Sequence, residues 1–290
     1  RRVLFRSASA REHLGGNLDL HEESGQLALA SCGLTAEFEA ASLPEGEEMF
    51  ILDPAGSILW HDKGHAELGG PSRPEIDRTV LRKILIDSLP PSFIKWDHAL
   101  LSATPLEGGL HQLTFANGTS TTSSLVVGAD GIWSKVRPLV SPATAHFAGW
   151  CGAEISISPA TAAARPDLSD QVGQGTLMCC GNGRTISTQR QGDGRVRIYT
   201  WLVRDEDDFA LPSEPAAAKA RILGEFEGWP AFLRELIELA DPGAVYPRPL
   251  YALPVGHRWE STPGVTLIGD ASHAMVPFAG EVRWFPSFSP

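Results

Sequence analysis

Two short apolar runs, each followed by glycine and aspartate, constrain the fold of this 290-residue chain more than any other feature. The first stands in LVVGADGIWSKVR, where Asp130 and Gly131 follow the run. The second stands in GVTLIGDASHAMVPFAG, where Gly269 and Asp270 follow it. A continuous apolar run such as SSLVVGAD is typical of a strand that is buried on both faces of a sheet. We therefore predict two buried strands in an α/β fold, each ending in an acidic turn.

The position of the two aspartates indicates a nucleotide ligand. In α/β sheets, ligands bind beyond the carboxyl ends of the strands, where an aspartate can accept a hydrogen bond from a ribose hydroxyl. Glycines beside it let the backbone approach a pyrophosphate closely, and their N–H groups favour its negative charge. Either aspartate on its own is equally consistent with a residue that caps a turn or a helix.

The segment between the two runs has the pattern of a separate, β-rich domain. In RVRIYTWLV, Val196 and Ile198 alternate with Arg197 and Tyr199, which predicts a strand in a sheet with one covered face. EPAAAKARILGEF and WPAFLRELIEL predict two helices after that strand. We assign 145–254 to this domain and expect the chain to return to the first domain at 255–281.

The chain before the first run predicts a mixture of helices and short strands. GGNLDLHEESGQLALASCGL predicts a Gly-rich turn and a helix that ends at Gly33, with Leu27 and Leu29 as apolar contacts. EMFILD and SILWHD flank the turn PAG, which predicts a hairpin. RPEIDRTVLRKILIDSLP predicts a helix that Pro90 ends, with Ile76 on its apolar face. Short strands follow, with a tight turn at FANG.

Composition and charge exclude several classes of protein. The net charge is −11 and no run of Lys and Arg occurs, so we expect no nucleic acid partner. The apolar runs are far shorter than the ~20 residues that span a bilayer, so we expect no transmembrane segment. The four cysteines lack CxxC spacing and do not suggest a disulfide framework. We therefore expect no zinc site, reduced thiols and a cytoplasmic location.

Four segments carry a resemblance to a known enzyme family. They are GGNLDLHEESGQLAL, PEIDRTVLRKILIDSL, the Asp130-Gly131 motif and LIGDASHAMVPFAG. In this order, with a β-rich insert before the last, they resemble the FAD-dependent aromatic hydroxylases, the class A flavoprotein monooxygenases. Within that family the chain looks most like the tetracycline-destructase-type branch. The likeness extends from Ala8 to Glu281 and is loosest between 145 and 249.

The resemblance implies an α/β fold in which an FAD-binding Rossmann-like (GR2-type) domain carries an inserted β-rich substrate domain. It assigns 8–144 to the FAD-binding domain, without the first βαβ unit and with early strands of the substrate domain. Residues 145–254 then form the substrate domain, and 255–281 return to the FAD-binding domain. The family opens with a GxGxxG turn that nothing before Gly15 supplies, so we expect the chain to be an internal fragment of an enzyme.

The implied activity is that of an FAD-dependent monooxygenase that consumes NADPH or NADH and hydroxylates an electron-rich aromatic or enolisable small molecule. Dioxygen is the co-substrate, and a C4a-hydroperoxyflavin delivers the oxygen atom. We expect a monomer. Two rivals stay open: a flavin-dependent reductase or dehydrogenase of the same fold, and a non-catalytic fragment that binds a small molecule.

The resemblance also assigns residues to the cofactor site, and none to catalysis or to a metal. Asp19 matches a flavin-contacting aspartate, and Arg82 matches an arginine that meets FAD, with Arg78 one turn before it. Asp130 belongs to a motif shared between FAD and pyridine nucleotide, and Asp270 to the ribityl or pyrophosphate region. The remaining candidates are Gly131, Gly269, Pro277, Gly280 and Arg11, the last beside Glu12, where the family has an arginine that contacts NADPH.

Simpler interpretations of the same residues stay open. Asp19 can cap the following turn, and Arg82 can belong to a salt-bridged surface of its helix. His273 is either a general base or a residue that packs beside the flavin. Tyr199 and Trp201 either face a substrate cavity or pack within the sheet.

Both ends of the chain depart from the family. The codons of RRVLFRS can match the end of a sequencing-library adapter, so we hypothesise that Arg1 to Ser7 are not native. After Glu281 the family pattern stops, and GAG GTG AGG at this point would resemble a splice donor. We therefore hypothesise that 282–290, VRWFPSFSP, is translated intron. A comparison of transcript with genomic DNA tests both ideas.

Overall fold

The computed structural model describes residues 3–6, 15–64, 72–208, 210–243 and 245–279. In chain order its strands are β1 (Leu4–Phe5), β2 (Asn17–Asp19), β3 (Met49–Leu52), β4 (Ile58–Asp62), β5 (Glu75–Asp77), β6 (Ile94–Lys95), β7 (Leu100–Pro105), β8 (His111–Phe115), β9 (Ser120–Ser123), β10 (Val126–Gly128), β11 (His146–Phe147), β12 (Trp150–Ile157), β13 (Thr176–Gly181), β14 (Arg184–Arg190), β15 (Val196–Val203), β16 (Tyr246–Pro247), β17 (Tyr251–Ala252) and β18 (Val265–Leu267). Its α-helices are α1 (Leu27–Ser31), α2 (Thr35–Glu39), α3 (Arg78–Asp87), α4 (Pro159–Ala164), α5 (Pro166–Val172), α6 (Pro215–Glu225), α7 (Ala231–Leu239) and α8 (Asp270–His273). The predicted contacts Arg11 and Gly280 lie outside the described residues.

The chain divides into two compact units. Unit 1 contains Arg1–Glu12, Asp87–Ala148 and Leu250–Pro290, and unit 2 contains His13–Ile86 and Gly149–Pro249. Helices combined with a large mixed sheet confirm the predicted α/β class. The predicted domain boundaries concern function and remain predictions.

A seven-stranded sheet forms the centre of unit 2, in the order β16-β12-β15-β14-β13-β3-β4. β3 and β13 pair in parallel, and the other neighbours pair antiparallel. Helices α6 and α7 bury Ile222, Leu233 and Leu236, and Leu236 lines a small cavity together with Ile157 of β12. Helix α6 starts after Glu214, whose carboxylate accepts two backbone N–H groups of the first turn. The two helices predicted after RVRIYTWLV are therefore confirmed, and they cover one face of the sheet.

The prediction that β15 has one covered face is wrong. Val196 and Ile198 lie on the face under the helices, yet Arg197 and Trp201 on the opposite face are only 5% and 7% exposed. A two-stranded ribbon, β2 paired antiparallel with β5, is hydrogen-bonded to that second face. Alternation of apolar and polar residues did not indicate exposure here, because the polar residues are buried among polar partners.

The β2–β5 ribbon has one apolar and one polar face. Ile76 is fully buried in a cluster with Leu29, Leu34 and Phe38, which come from the helical segment after β2. On the other face, Glu75 and its neighbours bond to the sheet. The ribbon thus joins a helical layer to the seven-stranded sheet within unit 2.

The helix predicted from RPEIDRTVLRKILIDSLP begins later than its apolar spacing indicated. Glu75–Asp77 forms β5, because its backbone pairs with β2, and α3 begins at Arg78. Ile76 therefore belongs to the strand and not to a helical face. Leu27, predicted as an apolar contact, is 59% exposed. The predicted stop at Gly33 is confirmed by its φ of 72° just after α1.

Unit 1 is built around the parallel pair β10–β18 and the antiparallel strands β7, β8 and β9. Phe115 of β8, Val126 of β10 and Val265 of β18 share one apolar cluster. The prediction that β10 is buried on both faces is wrong: Val126 is 6% exposed but Val127 is 48% exposed, because the cluster lies on one side of the strand.

The two turns predicted from short motifs are confirmed. PAG joins β3 to β4 in an antiparallel hairpin, and FANG joins β8 to β9, with Gly118 at a φ of 81°. Leu4 and Phe5, which fall in the segment hypothesised to be non-native, pair in parallel with β6, and their origin remains a hypothesis. Within the described parts of the chain, no helix has the length and apolar character needed to cross a membrane.

Candidate functional site

The two Gly-Asp motifs meet at one edge of unit 1. Val126–Gly128 pairs in parallel with Val265–Leu267, so both chains leave their strands at the same end. The N–H of Ile268 donates to the carbonyl of Gly128 at 2.9 Å. We call the segments Asp130-Gly131 and Gly269-Asp270, which follow these strands, the two corners. Their position matches the place where ligands bind in α/β sheets.

The first corner depends on a close approach of its backbone to the core. A Cβ on Gly128 would lie 2.7 Å from Leu267 and 2.8 Å from Val136, so any larger residue would separate the strand from its neighbours. The Asp130 carboxylate then accepts the backbone N–H groups of Lys135 at 2.7 Å and of Val136 at 3.3 Å, both through Oδ2. Asp130 therefore does cap a turn, and its exposed side chain keeps Oδ1 for a further partner.

The second corner presents an exposed aspartate at the start of a one-turn helix. Gly269 has a φ of 59°, and Asp270 opens α8. Within the described residues the Asp270 carboxylate makes no hydrogen bond, and it is exposed. A Cβ added at Gly131 or at Gly269 would meet no atom within 4 Å. The space beside both corners is therefore open to a ligand that approaches the backbone.

Arg137 ties the two corners together, and the sequence analysis gave it no role. Its Nε donates to the carbonyl of Ala271 at 2.9 Å, and its Nη2 donates to the carbonyl of Ile132 at 2.5 Å and, more weakly, to that of Gly131 at 3.5 Å. The side chain is 4% exposed, and this burial lowers the pKa of Arg137 against the opposing effect of Asp130. The short spacing from Asp130 to Arg137, within one motif, was the signal that could have found it.

His257 is a second support of the corner at α8. Its Nδ1 lies 2.8 Å from the carbonyl of Ser272, and its Nε2 lies 3.0 Å from Oγ of Ser141. Ser272 in turn donates from its hydroxyl to the carbonyl of Gly269. His273 is half-buried, and its backbone N–H donates to the same carbonyl at 3.1 Å.

Pro277 opens a short 3₁₀ turn, Pro277–Ala279, that follows α8. The proline is exposed. The remainder of the predicted flavin-facing loop, from Gly280 onward, lies outside the described residues.

Three further predicted residues lie in unit 2. Asp19, at the end of β2, has its carboxylate 3.5 Å from Nε2 of His21 and 4.0 Å from Arg73. The N–H of Arg78 donates to the carbonyl of Gly16 at 3.4 Å, which fixes the start of α3 beside the ribbon. Arg78 is exposed and Arg82 is half-buried. Residues four apart share a helix face, so the two guanidinium groups belong to one side of α3.

A buried polar cluster lies between the ribbon and the sheet of unit 2. Glu75 Oε2 accepts from Nδ2 of Asn17 at 2.7 Å, and Oε1 accepts from Nε2 of Gln189 at 3.2 Å. Gln189 Oε1 accepts the backbone N–H of Asn17 at 2.8 Å. Burial raises the pKa of Glu75 to about 7, against the lowering effect of these two amide donors. No sequence pattern indicates these three residues, because their contacts join distant parts of the chain.

The cluster continues across the sheet to a buried ion pair. Gln191 donates to Oδ1 of Asn17 at 2.6 Å and accepts from Nε of Arg197 at 3.2 Å. Arg197 and Arg248 both donate to the Glu154 carboxylate, Arg248 through two nitrogens at 2.7 and 2.9 Å. Such a pair is costly to break, because either partner alone would be a buried charge.

Tyr199 and Trp201 stack on the same face of β15, with ring planes 3° apart and centroids 5.9 Å apart. Burial raises the pKa of Tyr199 to about 12, which keeps its hydroxyl protonated. Trp201 is buried. Within unit 2 the two rings pack on the sheet face.

Comparison with known proteins identifies the family of the chain. No protein-family model matches the chain. The chain is similar to Monooxygenase asqM of Emericella nidulans, with 30% identity over 312 aligned residues that cover 91% of this chain and 69% of that protein. The chain belongs to the class A flavoprotein monooxygenases. The predicted enzyme class is confirmed by this relationship.

Solved structures share the fold of this monooxygenase. HpxO of Klebsiella pneumoniae, complexed with FAD and uric acid, has a TM-score of 0.74 at 19% identity, over 95% of this chain and 68% of that chain. The tetracycline destructase Tet(51) has a TM-score of 0.65 at 18% identity, over 96% of this chain and 70% of that chain. The predicted fold, a Rossmann-like domain with an inserted sheet, is confirmed by these structures, and the likeness to the tetracycline destructase is one of fold.

The predicted cofactor residues of this monooxygenase form two groups. Asp130, Gly131, Gly269 and Asp270 come together at one edge of unit 1. Asp19, Arg78 and Arg82 belong to the ribbon and to α3 in unit 2. Each group has an internal support that the sequence analysis did not identify: Arg137 in unit 1, and the cluster around Glu75 in unit 2.

Proposed function

We propose that this monooxygenase binds FAD at the two corners of unit 1, consumes NADPH or NADH, and hydroxylates an electron-rich aromatic or enolisable small molecule with dioxygen. Bound flavin would activate dioxygen and transfer one oxygen atom to the substrate, as the resemblance to the class A flavoprotein monooxygenases implies. Family membership supports the reaction class, and the corners support the place of the cofactor.

One observation carries the proposal for the cofactor. Two exposed aspartates, Asp130 and Asp270, follow paired parallel strands at the same end, and a single buried arginine holds both corners. The residues present fit a dinucleotide, because the glycines leave open space beside the backbone and Asp270 has no partner among the described residues. A free carboxylate at this position can accept a hydrogen bond from a ribose or ribityl hydroxyl.

Asp19, Arg78 and Arg82 are the further residues that we propose to hold FAD. Arg78 and Arg82 add two positive charges on one side of α3, and cations of this kind favour a pyrophosphate or a reduced flavin. FAD, when bound, supplies the oxygen-activating chemistry. The part of the chain is to bind and orient FAD and substrate and to exclude water.

The substrate class rests on the neighbours in fold. The HpxO structure holds uric acid, and Tet(51) is named as a tetracycline destructase. Uric acid and tetracycline both contain electron-rich, enolisable rings. We expect the seven-stranded sheet of unit 2 to orient such a ring.

Oxygen-18 labelling tests the proposal. Protein expressed from its complete gene is supplied with FAD, with NADPH or NADH, and with a panel of phenols and enolisable rings under ¹⁸O₂. We expect a product that carries one ¹⁸O atom for each NADPH or NADH consumed. An oxidised or reduced product without ¹⁸O would establish the rival reductase or dehydrogenase instead. Absence of both nucleotide consumption and product across the panel would contradict the proposal.

A further inference from the structure

We propose that Glu75 is a positioning residue of the flavin site, which sets, through Asn17 and Gln189, where strand β2 holds Asp19. The inference rests on the proposed function, since Asp19 is a flavin contact only if FAD binds there. Glu75 itself touches neither cofactor nor substrate in this account.

The hydrogen bonds around Glu75 form a closed ring of three residues. Glu75 accepts from the side chains of Asn17 and Gln189, and Gln189 accepts from the backbone N–H of Asn17. Each residue of the ring is thus bonded to the other two, so the start of β2 cannot shift on the sheet without breaking at least two bonds. In the β2–β5 register Asp19 stands directly opposite Glu75. A displacement of Glu75 therefore displaces Asp19, through the paired backbones of β2 and β5 and through the side-chain hydrogen bonds of the ring.

The space around the ring is tight, which makes it sensitive to small changes. A Cβ on Gly16 would lie 2.1 Å from Oε1 of Gln189 and 2.8 Å from the hydroxyl of Tyr199. Glu75 is 7% exposed. The ring is therefore packed on the sheet and largely shielded from solvent.

The charges near Glu75 make FAD affinity depend on the protonation of this residue. Strands β2, β5, β14 and β15 and the turn Pro44–Glu47 carry, besides Glu75, the charged side chains Asp19, Glu45, Glu47, Asp77, Arg184, Arg190 and Arg197. Among the described residues, Glu75 receives its hydrogen bonds from neutral amides, and Gln191 stands between the ring and Arg197. Burial raises the pKa of Glu75 to about 7, and repulsion from Asp19 and Asp77 adds to the effect. Because FAD is anionic, a charged Glu75 beside Asp19 disfavours binding, so affinity falls as the pH rises through this range.

FAD affinity as a function of pH tests the proposal. Binding to protein expressed from its complete gene is measured from about pH 5.5 to about pH 8.5 for wild type, Glu75→Gln and the control Glu37→Gln, an exposed carboxylate on α2. We expect wild type and the control to bind FAD about fivefold more weakly at the upper end, the lower limit of typical coupling between two equilibria. Glu75→Gln should show a flat profile, because its side chain does not titrate.

The possible results distinguish the role of Glu75 from the proposed binding of FAD. Parallel profiles for wild type and Glu75→Gln would overturn the role of Glu75 and leave the flavin proposal standing. No FAD binding by wild type at any pH would contradict the flavin proposal, and the inference with it.

A reciprocal measurement needs no variant and so does not depend on how Glu75→Gln folds. The pKa of the Glu75 carboxyl is followed by ¹³C NMR with and without FAD. Linkage requires the fivefold coupling to appear as a rise of about 0.7 pH units in that pKa when FAD binds. An unchanged pKa in the presence of saturating FAD would overturn the proposal.

Discussion

Asp130 and Asp270 in unit 1 and Glu75 in unit 2 occupy opposite environments. In unit 1, Asp130 and Asp270 are exposed at the corners, and a buried arginine supports the loops that carry them. In unit 2, Glu75 is buried between a ribbon and a sheet, with amides as its partners. The comparison teaches that the carboxylates proposed to contact a ligand are exposed, whereas the polar groups proposed to position such residues are buried. Replacement of a supporting group should change stability, and replacement of an exposed carboxylate should change binding.

The largest effect is expected for the support of the corners. Arg137→Met removes a charged donor from buried backbone carbonyls at both corners. We expect a loss of about 4 kcal/mol in the free energy of unfolding, since buried acceptors are left without a partner. Urea denaturation measures it, with Lys135→Met, an exposed neighbour, as a control that should change by no more than about 0.5 kcal/mol. Equal stability of the two variants would contradict the supporting role of Arg137.

The next largest effect is a pH-dependent change in the free energy of unfolding when Glu75 of unit 2 is replaced. The pKa of Glu75 rises from 4.5 to about 7 on folding, so its contribution to stability is complete below about pH 4.5 and is lost as pH rises through about 7. Between pH 5 and pH 8, wild type should therefore lose up to about 3 kcal/mol of stability relative to Glu75→Gln, whose side chain does not titrate. Unfolding curves at the two pH values measure this. A constant difference between the proteins would show that Glu75 does not titrate in this range.

A steric test follows for the contact between ribbon and sheet. Gly16→Ala places a methyl group against Gln189 and Tyr199, and Gln189 cannot yield without losing its bonds to Asn17 and Glu75. We expect a loss of about 2 kcal/mol. The matched control is Gly224→Ala in α6, where a Cβ meets nothing within 4 Å and alanine should add up to about 1 kcal/mol. Thermal unfolding of the two variants should shift in opposite directions, and a shift in the same direction would contradict the packing described.

The smallest effects on stability are expected at the corners themselves. Asp130→Ala should cost about 1 kcal/mol, because the carboxylate accepts two backbone N–H groups. Asp270→Ala should change the free energy of unfolding by no more than about 0.5 kcal/mol, because the exposed side chain has no partner in the described residues. Chemical denaturation of both variants checks the order. A larger loss for Asp270→Ala would mean that this residue is structural.

Local signals predicted the corners well. An apolar run followed by Gly and Asp lies within a few residues, so the sequence contains the strand, its end and the exposed carboxylate. Helix α7 was also predicted correctly, because the spacing of its apolar residues matches the helix face that is buried. Gly33 and Gly118 were predicted correctly, since a backbone with positive φ favours glycine.

Long-range contacts could not be predicted in the same way. The partners of Glu75 stand at positions 17 and 189, and no periodicity connects them. Arg197 has the pattern of an exposed strand residue, yet it is buried because Glu154 and Gln191 accept its hydrogen bonds. Val127 has the pattern of a buried residue, yet it is exposed because the core lies on one side of β10. Burial of a strand face depends on the layer that covers it, which the strand itself does not encode.

The visible absorption spectrum of the purified protein tests the central claim most directly. Protein expressed from its complete gene is compared with its Asp270→Ala variant after both are saturated with FAD and freed of excess. We expect flavin bands near about 375 and about 450 nm in wild type, and their loss in a variant that unfolds at the same temperature. Bands of equal strength in both proteins, or none in either, would contradict the assignment of the exposed corners as the flavin site.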